Sequence, residues 1–230
     1  MIVGKGMVAG ALKDISGWDN DILFSSGVSN SGEKDEINFQ KEVELVKSNL
    51  AKLTSPGTFV YFSSTSIFNP FKKNNPYVLH KLKIENLIKD SNLNYLIIRL
   101  PNLVGFSSNP NTLTNYFADS IRLGRAINLN QKAFRHLIDA SDLVNILNDV
   151  KNNFGKNKHT INIETDRPLS AHQIILSMEE AMQKKANINL SVENKDLEKI
   201  VSNLGDSSIN YIWKIREDYH KNLLKKYYSI

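Results

Sequence analysis

The chain of 230 residues contains no cysteine, which excludes a disulfide framework, a thiolate nucleophile and a zinc ribbon. A cysteine-free chain fits a reducing compartment. No apolar run reaches the ~18–20 residues that a membrane span needs. The start, Met1-Ile2-Val3-Gly4, lacks the basic region and long apolar core of a signal peptide, so a cytoplasmic location is expected, away from any membrane. Charge of one sign is also scarce: 29 Lys+Arg stand against 24 Asp+Glu, a net +5. No basic stripe with interleaved aromatics is visible, so no nucleic-acid partner is expected. The short cluster Lys221, Lys225 and Lys226 reads as a solvated helix face. Five histidines occur without HExxH-type spacing, so no metal site is expected. What remains is an ordinary globular composition, 41% hydrophobic and 23% charged, long enough for one domain with a modest lobe.

The first residues carry the first positive signal. Met1-Ile2-Val3 reads as a short buried strand and runs into Gly4-Lys5-Gly6-Met7-Val8-Ala9, a G-x-G-x-x-A dinucleotide fingerprint. The first glycine permits a tight turn, the second lets backbone N–H groups approach a pyrophosphate, and the small third residue lets helix and strand pack closely. A short helix fits residues 7–15, yet Ile22-Leu23-Phe24 is already another strand. That leaves no room for the two further strands, or for the acidic residue ~20 positions on, that hold adenosine in the usual fold. The first strand is therefore expected directly beside the strand at 21–25, near one sheet edge, with a rudimentary adenosine half. Asp14, Trp18 and Asp19 lie nearby without an assignable role.

Beyond this point strand and helix alternate. Val43, Val46, Leu50 and Leu53 keep helical spacing over 33–53, and Phe59–Phe62 reads as a buried strand. A helix is expected over 77–90, and Tyr95–Leu100 forms a strand closed by Pro101. Ser141 is a candidate cap for a helix carrying Leu143, Val144, Leu147 and Val150. His159–Ile163 reads as a short strand, and Ser170-Ala171-His172-Gln173 matches a capping box. The last 40 or so residues look mostly helical, with Tyr211, Trp213 and Tyr219 packing. The expected fold is α/β, a trimmed Rossmann-type parallel sheet lacking the usual second and third strands, with a small C-terminal substrate lobe. Residues 1–105 form the shortened dinucleotide-binding part; residues 106–230 hold the lobe and C-terminal helices, with 136–163 partly returning to the sheet.

Three polar groups belong together chemically. Ser64 follows a strand whose C-terminal end is where ligands bind in such sheets. Tyr77 and Lys81 are four apart and share a helix face. A lysine beside a tyrosine lowers the phenol pKa, and such a phenol can exchange a proton with a carbonyl or alcohol. With 8 Tyr and 23 Lys, about 0.8 Tyr-x-x-x-Lys matches arise by chance, so the pair means little alone. Its weight comes from its order after the glycine loop, the strand and Ser64.

That order resembles the extended short-chain dehydrogenases/reductases of the NAD-dependent epimerase/dehydratase family. Val60-Tyr61-Phe62-Ser63-Ser64-Thr65-Ser66-Ile67-Phe68 resembles the family strand that ends in a catalytic Ser or Thr, and Tyr77-Val78-Leu79-His80-Lys81 its Tyr-x-x-x-Lys. Ile98-Arg99-Leu100-Pro101-Asn102-Leu103-Val104-Gly105 resembles the "R-x-x-N-x-Y-G" segment that approaches the nicotinamide. Arg135-His136-Leu137-Ile138-Asp139-Ala140-Ser141-Asp142 resembles "R-x-F-I-H-V-x-D", which leads into the substrate lobe. Ser25-Ser26-Gly27-Val28-Ser29 takes the place of the "A-A" segment beneath the cofactor.

The resemblance implies Tyr77 as general acid/base, Lys81 lowering its pKa and binding the nicotinamide ribose, and Ser64 orienting the substrate oxygen. It implies a site for NAD or NADP made of Gly4, Lys5, Gly6, Met7, Val8, Ser26, Gly27, Lys81, Pro101 and Asn102. Thr65, Ser66, Asn102 and Arg135 would meet the substrate. Arg135 either grips a diphosphate or pairs with Asp139 or Asp142, and His136 reads as a structural histidine. Thr65 and Ser66 stand where family dehydratases carry Asp-Glu, which disfavours dehydration. The implied activity is a ketoreductase on a nucleotide-linked keto-sugar in surface-polysaccharide synthesis. The alternatives are a sugar-nucleotide epimerase using the same pair, or a degenerate homologue that binds a sugar nucleotide or a protein without redox work. A possible homodimer would form through residues 33–53 and 77–90.

Overall fold

In the computed structural model, which describes residues 1–69, 72–130, 134–191 and 207–229, strand and helix alternate from the start. The elements are β1 (Ile2–Val3), α1 (Met7–Ala11), β2 (Ile22–Phe24), α2 (Glu36–Leu50), β3 (Phe59–Ser64), α3 (Pro76–Lys89), β4 (Tyr95–Leu100), β5 (Asn102–Val104), α4 (Leu113–Leu123), β6 (Ala126–Asn130), β7 (Phe134–Arg135), β8 (Leu137–Asp139), α5 (Leu143–Phe154), β9 (His159–Thr165), β10 (Leu169–Ser170), α6 (Ala171–Met182), β11 (Asn187–Ser191), β12 (Ile209–Trp213) and α7 (Tyr219–Tyr228). They group into two compact units. The first holds Met1–Leu100, Ala140–Glu164 and Ser202–Tyr211; the second holds Pro101–Asp139, Thr165–Val201 and Ile212–Ile230.

The main sheet runs β1-β2-β3-β4-β9-β12, and the pairs from β1 to β9 are parallel. Space and sequence agree along this order, and β1 forms an edge, as the missing strands require. Strands buried on both faces need continuous apolar runs, and β3 and β4 supply them: Phe59 to Phe62 and Leu96 to Ile98 are buried. Helix α2 turns Phe39, Val43, Val46 and Leu50 inward at steps of three to four residues. Val43, Val46 and Leu50 join Phe24, Phe59 and Ile97 in one core cluster.

The two longest helices of this unit, α2 and α3, start at side-chain caps. Asp35 accepts from the Ile37 N–H, and Asn75 accepts from the Tyr77 and Val78 N–H groups with Pro76 in the first turn. The Asn75 cap fixes where α3 begins, and therefore where Tyr77 stands.

The second unit is built on a separate apolar cluster, with Phe117, Ile121, Ile174, Ile175, Met178 and Leu224 at its centre. Its strands pair two by two: β5 with β8 in parallel, β6 with β11 in parallel, and β7 with β10 antiparallel. The Ser170–Gln173 capping box forms in both directions, at 3.1 and 2.8 Å.

Two sequence expectations need correction. Ser141 does not cap α5; it lies in a 3-10 turn over Ala140–Asp142, and Asp142 is the N-cap residue without a side-chain cap bond. The C-terminal stretch is not mostly helical among the described residues. Ile209–Trp213 is a strand beside β9, with the two-residue burial alternation of a half-exposed edge, and helix is confined to Tyr219–Tyr228. Residues 192–206 of that stretch lie outside the described residues. No helix among the described residues is long and apolar enough to cross a membrane.

Candidate functional site

The glycine loop after β1 has a steric reason for its first glycine. Gly4 has φ +131°, and a Cβ there would lie 2.5 Å from the Ser25 carbonyl oxygen. Only glycine lets the β1–α1 loop pass that close to the end of β2. A Cβ at Gly6, by contrast, would meet nothing within 4 Å, so open space adjoins the start of α1. The first-turn N–H groups of a helix have no intrahelical partner, and no side chain caps Gly6. Lys5 is exposed on this loop. Asp14 and Asp19 are also exposed, whereas Trp18 is a core residue. Its indole N–H donates to Asn148, and Lys151 and Lys156 sit over its ring.

After β2, Ser26 and Gly27 form the next loop. A Cβ on Gly27 would fall 2.7 Å from Lys81 Nζ and 2.9 Å from Glu42 Oε1. A side chain here would push on the ends of the Lys81 and Glu42 side chains, so glycine lets this buried ion pair lie against the loop.

At the C-terminal end of β3, Ser64 caps the 3-10 turn Thr65–Phe68. Its Oγ accepts the Ser66 N–H at 3.1 Å. The bond uses an acceptor lone pair and leaves the Ser64 hydroxyl proton for another acceptor. Thr65 Oγ1 turns away to the Leu100 carbonyl at 3.4 Å. Tyr77, in the first turn of α3, is 5% exposed. Its hydroxyl takes no hydrogen bond among the described residues.

Lys81 is one helical turn on, and its ammonium lies 5.7 Å from the centre of the Tyr77 ring. It is only 2% exposed. Lys81 Nζ donates to Tyr61 OH at 2.9 Å and to Glu42 Oε1 at 3.2 Å. The Tyr61 hydroxyl donates to the same Glu42 oxygen at 2.7 Å. Glu42 Oε2 accepts the Val28 N–H at 2.7 Å and meets His80 Nε2 at 2.9 Å. Phe39 stacks on the His80 ring at 4.4 Å. Burial alone would push the Glu42 carboxyl up. The Lys81 charge and the bonds from His80, Val28 and Tyr61 outweigh burial and hold it at about 2. Burial, together with Glu42, pushes the Tyr61 phenol well above its usual range.

A second buried pair anchors the same helix. Arg99 reaches Glu85 with two parallel bonds, Nε to Oε1 at 3.0 Å and Nη2 to Oε2 at 2.6 Å. Ser63 donates to Glu85 Oε1 at 2.6 Å, and Arg99 also donates to Asn162. Both charged side chains are 1% exposed. The pair bolts α3 to β3 and β4, so the positions of Tyr77 and Lys81 are fixed relative to the strand end that carries Ser64.

In the second unit, Asn102 begins β5, and both its backbone N–H and its Nδ2 donate to the His136 carbonyl. His136 Nδ1 accepts the Thr165 N–H at 3.0 Å and meets Thr165 Oγ1 at 3.1 Å, a structural arrangement. Arg135 bonds its neighbour's carbonyl, at Phe134, and pairs with no carboxylate among the described residues. Burial pushes its guanidinium below the usual value. Asp139 is taken by Lys226 and Tyr227 instead. Lys221 and Lys225, the rest of the C-terminal lysine cluster, pair with Glu180.

Sequence reading missed Glu42, Tyr61, His80 and Glu85. A signal was present for the carboxylates. Glu42 falls between Phe39, Val43 and Val46 on the apolar face of α2, and Glu85 falls on the buried face of α3 with Val78, Lys81 and Ile88. A charge on a core-facing stripe announces a buried partner.

The profile described as "NAD dependent epimerase/dehydratase family" matches residues 24–163. No curated protein matches the sequence. Among solved structures, the chain is similar to UDP-glucose-4-epimerase from Stenotrophomonas maltophila with bound NAD and formylated UDP-arabinopyranose. That match has 17% identity and a TM-score of 0.63, and covers 96% of this chain and 78% of that one. It is also similar to RMD from Pseudomonas aeruginosa complexed with NADPH, at 13% identity and TM-score 0.58, covering 91% and 80%. A third is dTDP-4-dehydrorhamnose reductase from Yersinia enterocolitica, at 15% identity and TM-score 0.59, covering 98% of this chain and 96% of that one. These likenesses show a shared fold. With a family profile spanning more than half its length, this chain belongs to the NAD-dependent epimerase/dehydratase family.

Proposed function

We propose that the chain is an NAD(P)-dependent oxidoreductase that reduces a nucleotide-linked keto-sugar. The observation that carries this reading is the end of β3 and the start of α3. Ser64 keeps a hydroxyl proton to give, Tyr77 keeps a phenol without a hydrogen-bond partner among the described residues, and Lys81 holds an ammonium beside it. Such a set has no packing reason to assemble.

The residues present fit the nicotinamide and pyrophosphate parts of the cofactor. Gly4 is forced by close approach, open space adjoins Gly6, and Gly27 admits Lys81 to the loop after β2. Lys5, Met7 and Val8 complete the pyrophosphate loop, and Ser26, Pro101 and Asn102 are assigned to the nicotinamide end. Strand β1 ends the sheet, so the adenosine part meets a reduced surface. Relatives of known structure carry NAD in one case and NADPH in another, and the reading leaves both open to this chain.

When bound, the reduced nicotinamide supplies a hydride to the ketone carbon. The Ser64 hydroxyl donates to the ketone oxygen and orients it. Tyr77 delivers a proton to that oxygen, which completes the alcohol. Lys81 has three N–H donors and spends two on Tyr61 and Glu42; the third is assigned to the nicotinamide ribose. Thr65, Ser66 and Asn102 are assigned to the sugar, and Arg135, free of any carboxylate among the described residues, to the diphosphate. The outer face of α3, where Leu79 is 51% exposed, supports pairing of two copies through α2 and α3.

Tyr77→Phe is expected to slow ketone reduction by about 10²–10⁴-fold with cofactor affinity little changed. Stopped-flow decay of the reduced nicotinamide with dTDP-4-dehydrorhamnose and related keto-sugar nucleotides measures this. Reduction at the wild-type rate would remove Tyr77 from the mechanism. Oxidised cofactor should accumulate one for one with alcohol; product formation without net oxidation would point to epimerisation instead.

A further inference from the structure

Glu42 accepts four hydrogen bonds, from Val28 N–H, His80 Nε2, Tyr61 OH and Lys81 Nζ, and is buried at 3% exposure. Because a carboxylate oxygen can only accept, His80 must present an N–H at Nε2. A structural lysine on the core face of α3 would need a single counter-charge. This one is instead held from two sides, by a carboxylate from α2 and a phenol from β3, and its end lies against Gly27. The cluster spans the ends of β2 and β3, the same end of the sheet as Ser64.

We propose that Glu42 is a positioning residue for Lys81: with Tyr61 it fixes the ammonium beside Tyr77, directs one N–H to the cofactor, and offsets the positive charge that Tyr77 would otherwise meet in full. This rests on the roles given to Tyr77 and Lys81 above. The charged and titratable groups facing the pair are Glu42 from α2, His80 and Lys81 from α3, and Tyr61 from β3. Glu85, which also acts on Tyr61, is matched by Arg99. The neighbouring turn, Thr65–Phe68, brings no charge. Glu42 thus offsets part of the Lys81 charge that lies beside Tyr77. Such a balance suits a phenol that gives a proton during ketone reduction better than one that must first lose it.

The test combines Glu42→Gln, Tyr61→Phe and Tyr77→Phe. Tyrosinate absorbance followed against pH, with the Tyr77→Phe protein subtracted, isolates the Tyr77 signal. In Glu42→Gln that signal should appear about one pH unit lower than in wild type, because the Lys81 charge is no longer offset. Tyr61→Phe keeps both charges and should leave the signal in place. It should weaken NADH or NADPH binding about two- to tenfold, since Lys81 loses one of its two anchors.

An unmoved tyrosinate signal in folded Glu42→Gln would overturn charge compensation. Unchanged cofactor affinity in Tyr61→Phe would overturn the positioning claim, and this variant decides the matter if Glu42→Gln does not fold. Failure of the functional reading looks different: wild-type ketone reduction in Tyr77→Phe, or no nicotinamide binding by the wild type.

Discussion

The two units treat charge inside the protein in opposite ways. In the first, Glu42–Lys81 and Glu85–Arg99 have both partners at 1–2% side-chain exposure. In the second, every ion pair among the described residues keeps a partner in water: Lys226 on Asp139 is 47% exposed, and Lys185 on Glu179 is 88% exposed. The second unit also buries Thr114, Ser120, Asp139, Thr165, Glu179 and His220, and among the described residues His220 Nε2 is buried without a partner. Replacing a buried ion pair with well-packed apolar residues is often neutral or stabilising, so such pairs are poor evidence of a need for stability. Their concentration on the helix that carries Tyr77 and Lys81 is better explained by placement. They fix where two polar side chains stand, which apolar packing does less specifically.

The contrast can be broken first at Glu85–Arg99. Arg99→Met leaves the buried Glu85 carboxylate with only Ser63 and, at 3.9 Å, Lys89 beside it, and should cost about 3 kcal/mol in urea denaturation. The double variant Arg99→Met with Glu85→Leu should recover much of that loss. A full loss persisting in the double variant would mean that the site unit needs the pair for stability itself.

Acid sharpens the contrast through Glu42 in the first unit and His220 in the second. Glu42 is held at about 2 from an ordinary 4.5, by Lys81 and its hydrogen bonds acting against burial. A lowered carboxyl contributes stability above its unfolded value, so the first unit should lose about 3 kcal/mol as pH falls from about 4.5 to about 2. Burial, with the neighbouring His136, lowers His220 from 6.5 to about 4. The unfolded chain takes up that proton first, so the second unit should weaken at milder acidity, between pH 6.5 and 4. Fluorescence-detected denaturation at a series of pH values should show both steps, the His220 step at the higher pH. A single step would deny the units their separate response.

A smaller effect belongs to the orphaned nitrogen. His220→Phe removes a buried polar atom without a partner and should stabilise by about 1 kcal/mol at neutral pH. It should also erase the step between pH 6.5 and 4. A destabilised variant that keeps the step would place the titration elsewhere.

Much of the first unit was legible in the sequence, for a physical reason. Buried parallel strands must be continuous and apolar, and Phe59–Phe62 and Tyr95–Leu100 show it. The short gap between Gly6 and Ile22 left no room for extra strands, and β1 does form the sheet edge beside β2. Gly4 and Gly27 were legible as glycines of a cofactor loop, but the reason for Gly27 was not, because Glu42 and Lys81 approach it from 15 and 54 positions away. The second unit was less legible. Its strands are two to five residues long and pair across large separations, as Asn187–Ser191 does with Ala126–Asn130, so no local period marks them. Ile209–Trp213 was hidden among aromatics that fit helix and strand equally well.

The central claim is that a shortened nucleotide half still serves redox chemistry. The most direct test is titration of the purified protein with NADH and with NADPH, following nicotinamide fluorescence. Saturable binding of one of them in the micromolar range is predicted. No binding of either up to millimolar concentration would contradict the account and leave a protein that keeps Ser64, Tyr77 and Lys81 without the chemistry assigned to them.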